Sequence, residues 1–215
     1  MNLDQARFFM VEQQIRPWDV LDPLVLDLLS ELPRHDFVAA DQQTLAYSDT
    51  ELPIGEDQFM LAPKLEARIM QALDVHDEDS VLEIGTGSGY MTALLASLAK
   101  KVTSVELFDS LQKTAAERLT QFNNIELKLG DASQAWPDQQ TYDVIVLTGS
   151  CATLPESYKT QLNLGGRLFA IVGQSPAMQA VLVTRIGEQE WLEESLFETD
   201  VPALVHAEAK PKFEF

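Results

Sequence analysis

Val81-Leu-Glu-Ile-Gly-Thr-Gly-Ser-Gly-Tyr90 decides how this chain folds. An apolar run, residues 81–84, leads into glycines at 85, 87 and 89, and residues 92–99 beyond them carry the spacing of a helix, with Leu94, Leu95 and Leu98 inward. Strand, glycine turn and helix in that order let the backbone bend sharply and approach a ligand closely. Outward from this segment, short apolar runs at 102–105, 125–129 and 144–147 read as the second, third and fourth strands. Residues 111–122 form a second crossover helix, and residues 167–172, after Gly165-Gly166, a fifth strand. Residues 180–186 and 191–197 read as an antiparallel hairpin around Gly187-Glu188 that closes one edge. The alternation is that of an α/β chain with a doubly wound, mostly parallel, seven-stranded Rossmann-like sheet.

Upstream of Ser80 the pattern is helical. Asp22-Pro23 offers a cap and a first-turn proline, Leu24, Val25, Leu28, Leu29 and Leu32 make an apolar face, and Pro33 ends it. A further helix starts at Ala62-Pro63 and carries Leu65, Ile69 and Leu73, while Leu52-Pro53-Ile54-Gly55 reads as an irregular loop. The expected organisation is an N-terminal helical cap with a substrate-side loop over residues 1–79 and a ligand-binding core over 80–215, joined in one compact unit.

The 215 residues, 46% of them hydrophobic, suffice to bury one sizeable core. With 34 acidic against 15 basic residues the net charge is -19, which repels phosphate and disfavours nucleic-acid partners. The single Cys151 cannot form an internal disulfide, and no apolar run of membrane-spanning length is present, so the expected setting is the cytoplasm, away from membranes. His35, His76 and His206 are scattered and no paired cysteines exist, so no metal site is expected. Cys151 has no histidine near it in sequence and reads as a small buried residue, not a nucleophile.

Three acids stand where strands end. A dinucleotide fingerprint wants its third glycine at position 90, where this chain has Tyr90. Glu83, just before the glycines, would repel a pyrophosphate and favour an ammonium or sulfonium. S-adenosylmethionine carries both cations and no phosphate. Glu106, at the end of the second strand, is placed to accept ribose hydroxyls. At Gly130-Asp131-Ala132 a carboxylate can accept from an adenine amino group while the next N–H donates to the ring.

The chain resembles the protein-L-isoaspartate (D-aspartate) O-methyltransferase family, and the likeness covers nearly its whole length. It rests on Met10-Val-Glu-Gln-Gln-Ile-Arg-Pro17, Leu32-Pro-Arg-His-Asp-Phe-Val38, Leu45-Ala-Tyr47, Leu52-Pro-Ile-Gly55, the glycine segment itself, Gly130-Asp131, Trp136-Pro137 and Gly165-Gly-Arg-Leu168. The resemblance implies a methyltransferase sheet holding S-adenosylmethionine and yielding S-adenosylhomocysteine. Its cofactor residues would be Glu83, Gly85, Thr86, Gly87, Ser88, Gly89, Tyr90, Glu106, Leu107, Asp131, Ala132 and Thr148. The acceptor would be a protein or peptide carboxylate, or a small molecule.

One departure bears on the chemistry. Where the family has Gln-Thr-Ile-Ser-x-Pro, this chain reads Gln58-Phe59-Met60-Leu61-Ala62-Pro63, so the hydroxyl position falls on Leu61, and no catalytic residue is assigned there. Leucine neither donates nor accepts a hydrogen bond. A carboxylate is already nucleophilic at neutral pH, so its methylation needs orientation and desolvation more than a base. Gln58, Phe59, Met60 and Leu61 are the expected substrate-side residues, and the last three make that side apolar. The rival reading is a cofactor-binding relative without isoaspartyl activity, working on a small apolar acceptor or as a sensor or scaffold. The fourth strand ends in Thr148-Gly149-Ser150-Cys151, which keeps the small residues the family tends to carry, whereas the tail Lys210-Pro-Lys-Phe-Glu-Phe215 departs from the family's last strand.

Overall fold

The computed structural model describes residues 2–208, and the divergent tail at 210–215 lies outside them. α1 (Leu3–Met10) opens on Asn2, whose side chain accepts the N–H of Asp4 and Gln5. The helix widens over Val11–Ile15 and tightens over Arg16–Trp18. α2 (Pro23–Glu31) begins as the sequence leads one to expect: Asp22 accepts from Leu24 at 2.8 Å, Pro23 fills the first turn, and Leu32 is already extended before Pro33.

The segment expected to be an irregular loop is instead an antiparallel ribbon of β1 (Leu52–Gly55) and β2 (Gln58–Met60). Glu56 and Asp57 both take left-handed backbone (φ 52 and 55), which reverses the chain in two residues with the twist that a hairpin favours. Neither residue is the Asn or Gly that normally announces such a turn. α3 (Pro63–Leu73) follows.

The sheet is built from β3 (Ser80–Ile84), β4 (Lys101–Glu106), β5 (Ile125–Leu129), β6 (Tyr142–Cys151), β7 (Leu162–Gln174), β8 (Ala177–Gly187) and β9 (Glu190–Thr199). Between them lie α4 (Tyr90–Leu98), α5 (Asp109–Arg118) and the short α6 (Glu156–Thr160). The spatial order is β5-β4-β3-β6-β7-β8-β9. Five strands pair in parallel, and β8 and β9 close one side as an antiparallel meander. The doubly wound, mostly parallel seven-stranded sheet inferred from the strand pattern is therefore present. β7 and β8 are longer than their apolar runs suggest, because ladder pairing from Arg167↔Thr184 to Gln174↔Ala177 continues beyond the part covered on both faces. α5 stops at Arg118, short of residue 122, where a tight turn from Leu119 to Phe122 takes over.

Residue parity assigns each side of the sheet to its own core. Val81, Val102, Val144, Val146, Phe169 and Ile171 pack with the N-terminal helices. Leu82, Ile84, Val105, Ile145, Leu147 and Leu168 pack on the opposite face with Tyr142 and Tyr158. Residues of the N-terminal helical segments, including Met10, Ile15, Leu29 and Ile69, belong to the same buried cluster as the first face. β3 is central, with β4 on one side and β6 on the other, which makes the carboxyl ends of β3 and β6 the topological switch point where open α/β sheets bind ligands.

Candidate cofactor and acceptor site

At that switch point lies a hollow with about 720 Å³ of open space, its mouth onto solvent included. Gly85, Gly87, Glu106, Leu107, Asp131, Ala132 and Thr148 all line it, so seven of the expected cofactor residues, drawn from the ends of four strands, meet around one space. Its floor is apolar, with Ile84, Val105, Phe108 and Leu111, which suits a purine face.

Glu106 ends β4 and is almost fully buried, yet its carboxylate is well supplied with donors. Oε1 accepts the N–H of Leu107 at 2.9 Å and of Phe108 at 3.0 Å, and Oε2 accepts the N–H of Gly87 at 2.8 Å. A carboxylate offers about four acceptor positions, so one remains at Oε2 for a hydroxyl of a bound ribose. The expectation that Glu106 takes both ribose hydroxyls is narrowed to one, unless the Gly87 bond yields. That bond also ties the glycine loop to β4.

Gly85 shows why the loop starts with glycine. Its φ is +97, and a Cβ there would stand 2.3 Å from Thr148 Oγ1. The Thr148 hydroxyl is in turn turned onto the carbonyls of Ile84 at 3.0 Å and Gly85 at 2.7 Å, which fixes the end of β6 against the end of β3. Any side chain at 85 would fill the space between the strands.

Glu83 is placed otherwise than its sequence position suggested. It shares parity with Val81, so its side chain points to the α4 face and does not line the hollow. Its Oε2 accepts the hydroxyls of Thr92 and Ser104, both at 2.6 Å, and Thr86 joins through Ser104 at 2.6 Å. Burial pushes its carboxyl up to about 8 against those two donors, with Glu106 and Glu66 adding to the rise. At neutral pH it holds its proton, so it braces the loop from beneath and offers a ligand no negative charge. Oε1 has no partner among the described residues.

Two of the three strand-end acids therefore share the hollow. The second, Asp131, accepts the N–H of Ser133 at 2.9 Å through Oδ1 and faces His206 Nδ1 at 2.7 Å through Oδ2. Burial raises its carboxyl, but the Ser133 and His206 contacts outweigh it and leave the acid below its ordinary value. Gly89 (φ +87) and Tyr90 also lie off the hollow: Gly89 is the N-cap of α4, and Tyr90 is buried edge-on to Phe37 with ring centroids 5.3 Å apart. Thr86 and Ser88 border a second, smaller hollow, joined to the first across Gly85, Gly87 and Thr148.

Of the four residues expected on the substrate side, Gln58, Phe59 and Leu61 line the first hollow, while Met60 reaches only the second. Leu61 is buried and Phe59 is 45% exposed, so Phe59 stands at the mouth. Two contributors were not anticipated. The strap after β9 lays Pro202, Ala203, Leu204 and Val205 over the hollow, pinned by Ser150 N–H to Pro202 O at 3.0 Å and by Leu204 N–H to Ser150 O at 2.8 Å. Beneath Leu61 lies a buried ion pair: Arg34 bonds Glu66, the carbonyl of Ala46 at 2.8 Å and the carbonyl of Leu61 at 2.6 Å. Cys151 is buried, its thiol pushed up to about 11 by desolvation, and faces the Ile171 carbonyl, away from nucleophilic chemistry.

A mostly parallel open sheet with a glycine loop after β3, an acid at the end of β4 and an acid beyond the end of β5, gathered around one hollow, fits the Rossmann-like methyltransferase class. Comparison with known proteins narrows it. The family model described as protein-L-isoaspartate(D-aspartate) O-methyltransferase matches residues 8–205. A protein-L-isoaspartate O-methyltransferase of Syntrophus aciditrophicus is 41% identical over 189 residues, 87% of either chain. One of Methanoculleus marisnigri is 42% identical over 184 residues, 84% of either chain. A solved protein-L-isoaspartate O-methyltransferase superposes with a TM-score of 0.78 at 22% identity, covering 94% of this chain, which spans 65% of that structure's length. A Plasmodium falciparum structure in complex with S-adenosyl-L-homocysteine does so with a TM-score of 0.78 at 17% identity, over 95% of this chain and 98% of that one. The chain belongs to the protein-L-isoaspartate (D-aspartate) O-methyltransferase family, whose members are S-adenosylmethionine-dependent O-methyltransferases.

Proposed function

We propose that this chain methylates a carboxylate of a protein or peptide, an isoaspartyl side chain in the first instance, in a reducing cytoplasm and without a nucleic-acid substrate. The observation that carries the reading is the union of two halves in one hollow: Glu106, Asp131 and the apolar floor on one side, and Gln58, Phe59, Leu61 and the strap at 202–205 on the other. The donor set fits an adenosyl sulfonium, since the open position on Glu106 and the glycine cradle at 85 face the same space and, among the described residues, the lining includes no Lys or Arg side chain to call for phosphate. When bound, the cofactor supplies a methyl group on a positively charged sulfur.

What the chain's own residues contribute is placement and dryness. Glu106 and Asp131 would hold the nucleoside, and Thr148 and Gly85 keep the strand ends close enough to receive it. Leu61, Phe59 and Leu204 exclude water from the transfer path, which strips hydration from an incoming carboxylate and raises its reactivity. With Leu61 in place of a hydroxyl, the acceptor is oriented by shape and by the strap, with no side-chain hydrogen bond at that position. A small apolar acceptor is the second reading, favoured by the greasy wall of Phe59, Met60 and Leu61. Transfer of a radiolabelled methyl group to an isoaspartyl peptide, measured against its aspartyl counterpart as base-labile ester, decides between them. Label on the isoaspartyl peptide alone is the expected result. Tight S-adenosylhomocysteine binding with no ester on either peptide would sink the isoaspartyl reading and leave the second.

A further inference from the structure

The second hollow holds a carboxyl group, paired with a buried arginine, that the nucleoside half does not use. Glu66, in the first turn of α3, is 2% exposed and lines this hollow together with Gly85, Thr86, Gly87, Ser88 and Met91. Its Oε2 is taken by Arg34, whose guanidinium is fully buried and spends its other bonds on the carbonyls of Ala46 and Leu61. Arg34 also lies over the Tyr90 ring, 5.1 Å from its centroid. A guanidinium held on every side cannot swing away, so the carboxylate is fixed with Oε1 as the atom left to meet a ligand. A carboxylate kept so far from water, at the cost of burying a second charge beside it, is poorly explained by stability alone, because such pairs are often no better than apolar residues of the same size.

The two hollows share Ile54, Phe59, Leu61, Gly85, Gly87 and Thr148, so a ligand whose nucleoside rests on Glu106 and Asp131 continues past Gly85 into the second space. The part of S-adenosylmethionine beyond its sulfur is an amino acid, with an ammonium and a carboxylate on one carbon. The entrance of the nine-residue α4, with Ser88 just before its Gly89 cap, is the complement of the carboxylate. We propose that Glu66 Oε1 accepts the hydrogen bond of the cofactor's α-ammonium, and that Arg34 is the positioning residue that holds Glu66 there. Burial pushes both carboxyls up, to about 8 in each case, but Glu66 lines the second hollow beside the Arg34 charge that favours its ionised form, whereas Glu83 is set off both hollows and cannot serve instead.

The test separates tail from nucleoside by using two ligands. S-adenosylhomocysteine carries the amino-acid tail and 5′-methylthioadenosine lacks it, so calorimetry with both on the wild type and on Glu66→Gln isolates the ammonium contact. The variant is expected to bind S-adenosylhomocysteine at least about tenfold more weakly, the loss typical of one charge-assisted bond, and 5′-methylthioadenosine within about twofold of the wild type. An S-adenosylhomocysteine analogue without its amino group should be insensitive to the substitution. Equal weakening of both nucleosides, or of neither, overturns the proposal. Should Glu66→Gln fail to fold, the pair Arg34→Met with Glu66→Met removes both charges while filling the space, and the same ratio of affinities is read. Failure of the wild type to bind either nucleoside would overturn the cofactor site as a whole, a result distinct from loss of tail selectivity.

Discussion

Replacing Glu106 by Gln puts the nucleoside half of the site to its sharpest test. The substitution keeps the shape, removes one charge and turns one oxygen into a donor. In the wild type Oε1 takes two N–H groups, from Leu107 and Phe108, and Oε2 takes one from Gly87. The amide oxygen best keeps the two-bond side, which sets its NH₂ against the Gly87 N–H, donor facing donor. One bond to a charged acceptor is lost from the glycine loop, at about 1.5–3 kcal/mol. The same rotation leaves no acceptor for the ribose, so a loss of similar size falls on binding, equal to about 10- to 150-fold in affinity. Urea unfolding without ligand reads the first loss, and calorimetry with S-adenosylhomocysteine reads the second. A variant that is less stable but binds the nucleoside within twofold of the wild type would refute the reasoning, since Glu106 would then only brace the loop and the ligand would lie elsewhere.

Gly85→Ala should abolish measurable S-adenosylhomocysteine binding and lower stability by about 1–3 kcal/mol from backbone strain at φ +97, before the collision with Thr148 Oγ1 is counted; near-normal affinity by calorimetry would show that the strand ends are not closed as described. Glu83 carries a pH dependence of definite sign. Its folded pKa of about 8 exceeds the ordinary 4.5, so the native state binds the extra proton, and the stability that this lends is complete below about 4.5 and lost as pH rises through about 8. Glu83→Gln, which mimics the protonated acid, should flatten that decline by roughly 1 kcal/mol per pH unit in urea midpoints taken between pH 5.5 and 8, whereas parallel profiles for both proteins would remove Glu83 as the cause. Leu61→Ser should raise methyl transfer to an isoaspartyl peptide by about one to two decades if a hydroxyl there can orient the acceptor; an unchanged rate would mean that the strap and Phe59 already fix its approach.

What could be read from the sequence is what depends on the local backbone. Gly85 needs its positive φ wherever the rest of the chain lies, and Glu106 and Asp131 follow from where an apolar run stops. Glu83 was readable too, through parity: two positions from Val81, it had to share that residue's face, and its nearness to the glycines was no guide to its direction. The β1–β2 ribbon escaped because Glu56-Asp57 is not the Asn-Gly or Asp-Gly pair that marks a two-residue hairpin turn, although both residues take left-handed backbone there.

Residues 58–61 were legible beside the hollow, but the strap at 202–205 and the Arg34–Glu66 pair escaped for a different reason. Arg34 and Glu66 stand 32 positions apart, and the strap at 202–205 reaches the hollow only after β7, β8 and β9 have been laid down to carry it there. No spacing or periodicity links such residues, because their meeting is a property of the assembled sheet. The side of the hollow with Glu106 and Asp131 is thus fixed by turns at strand ends, while the side with Leu61 and the strap hangs on long-range contacts. Leu61 illustrates the division: the residue lines the hollow, while its carbonyl is held by Arg34. A substitution of that side chain can retune the substrate without disturbing the backbone that presents it.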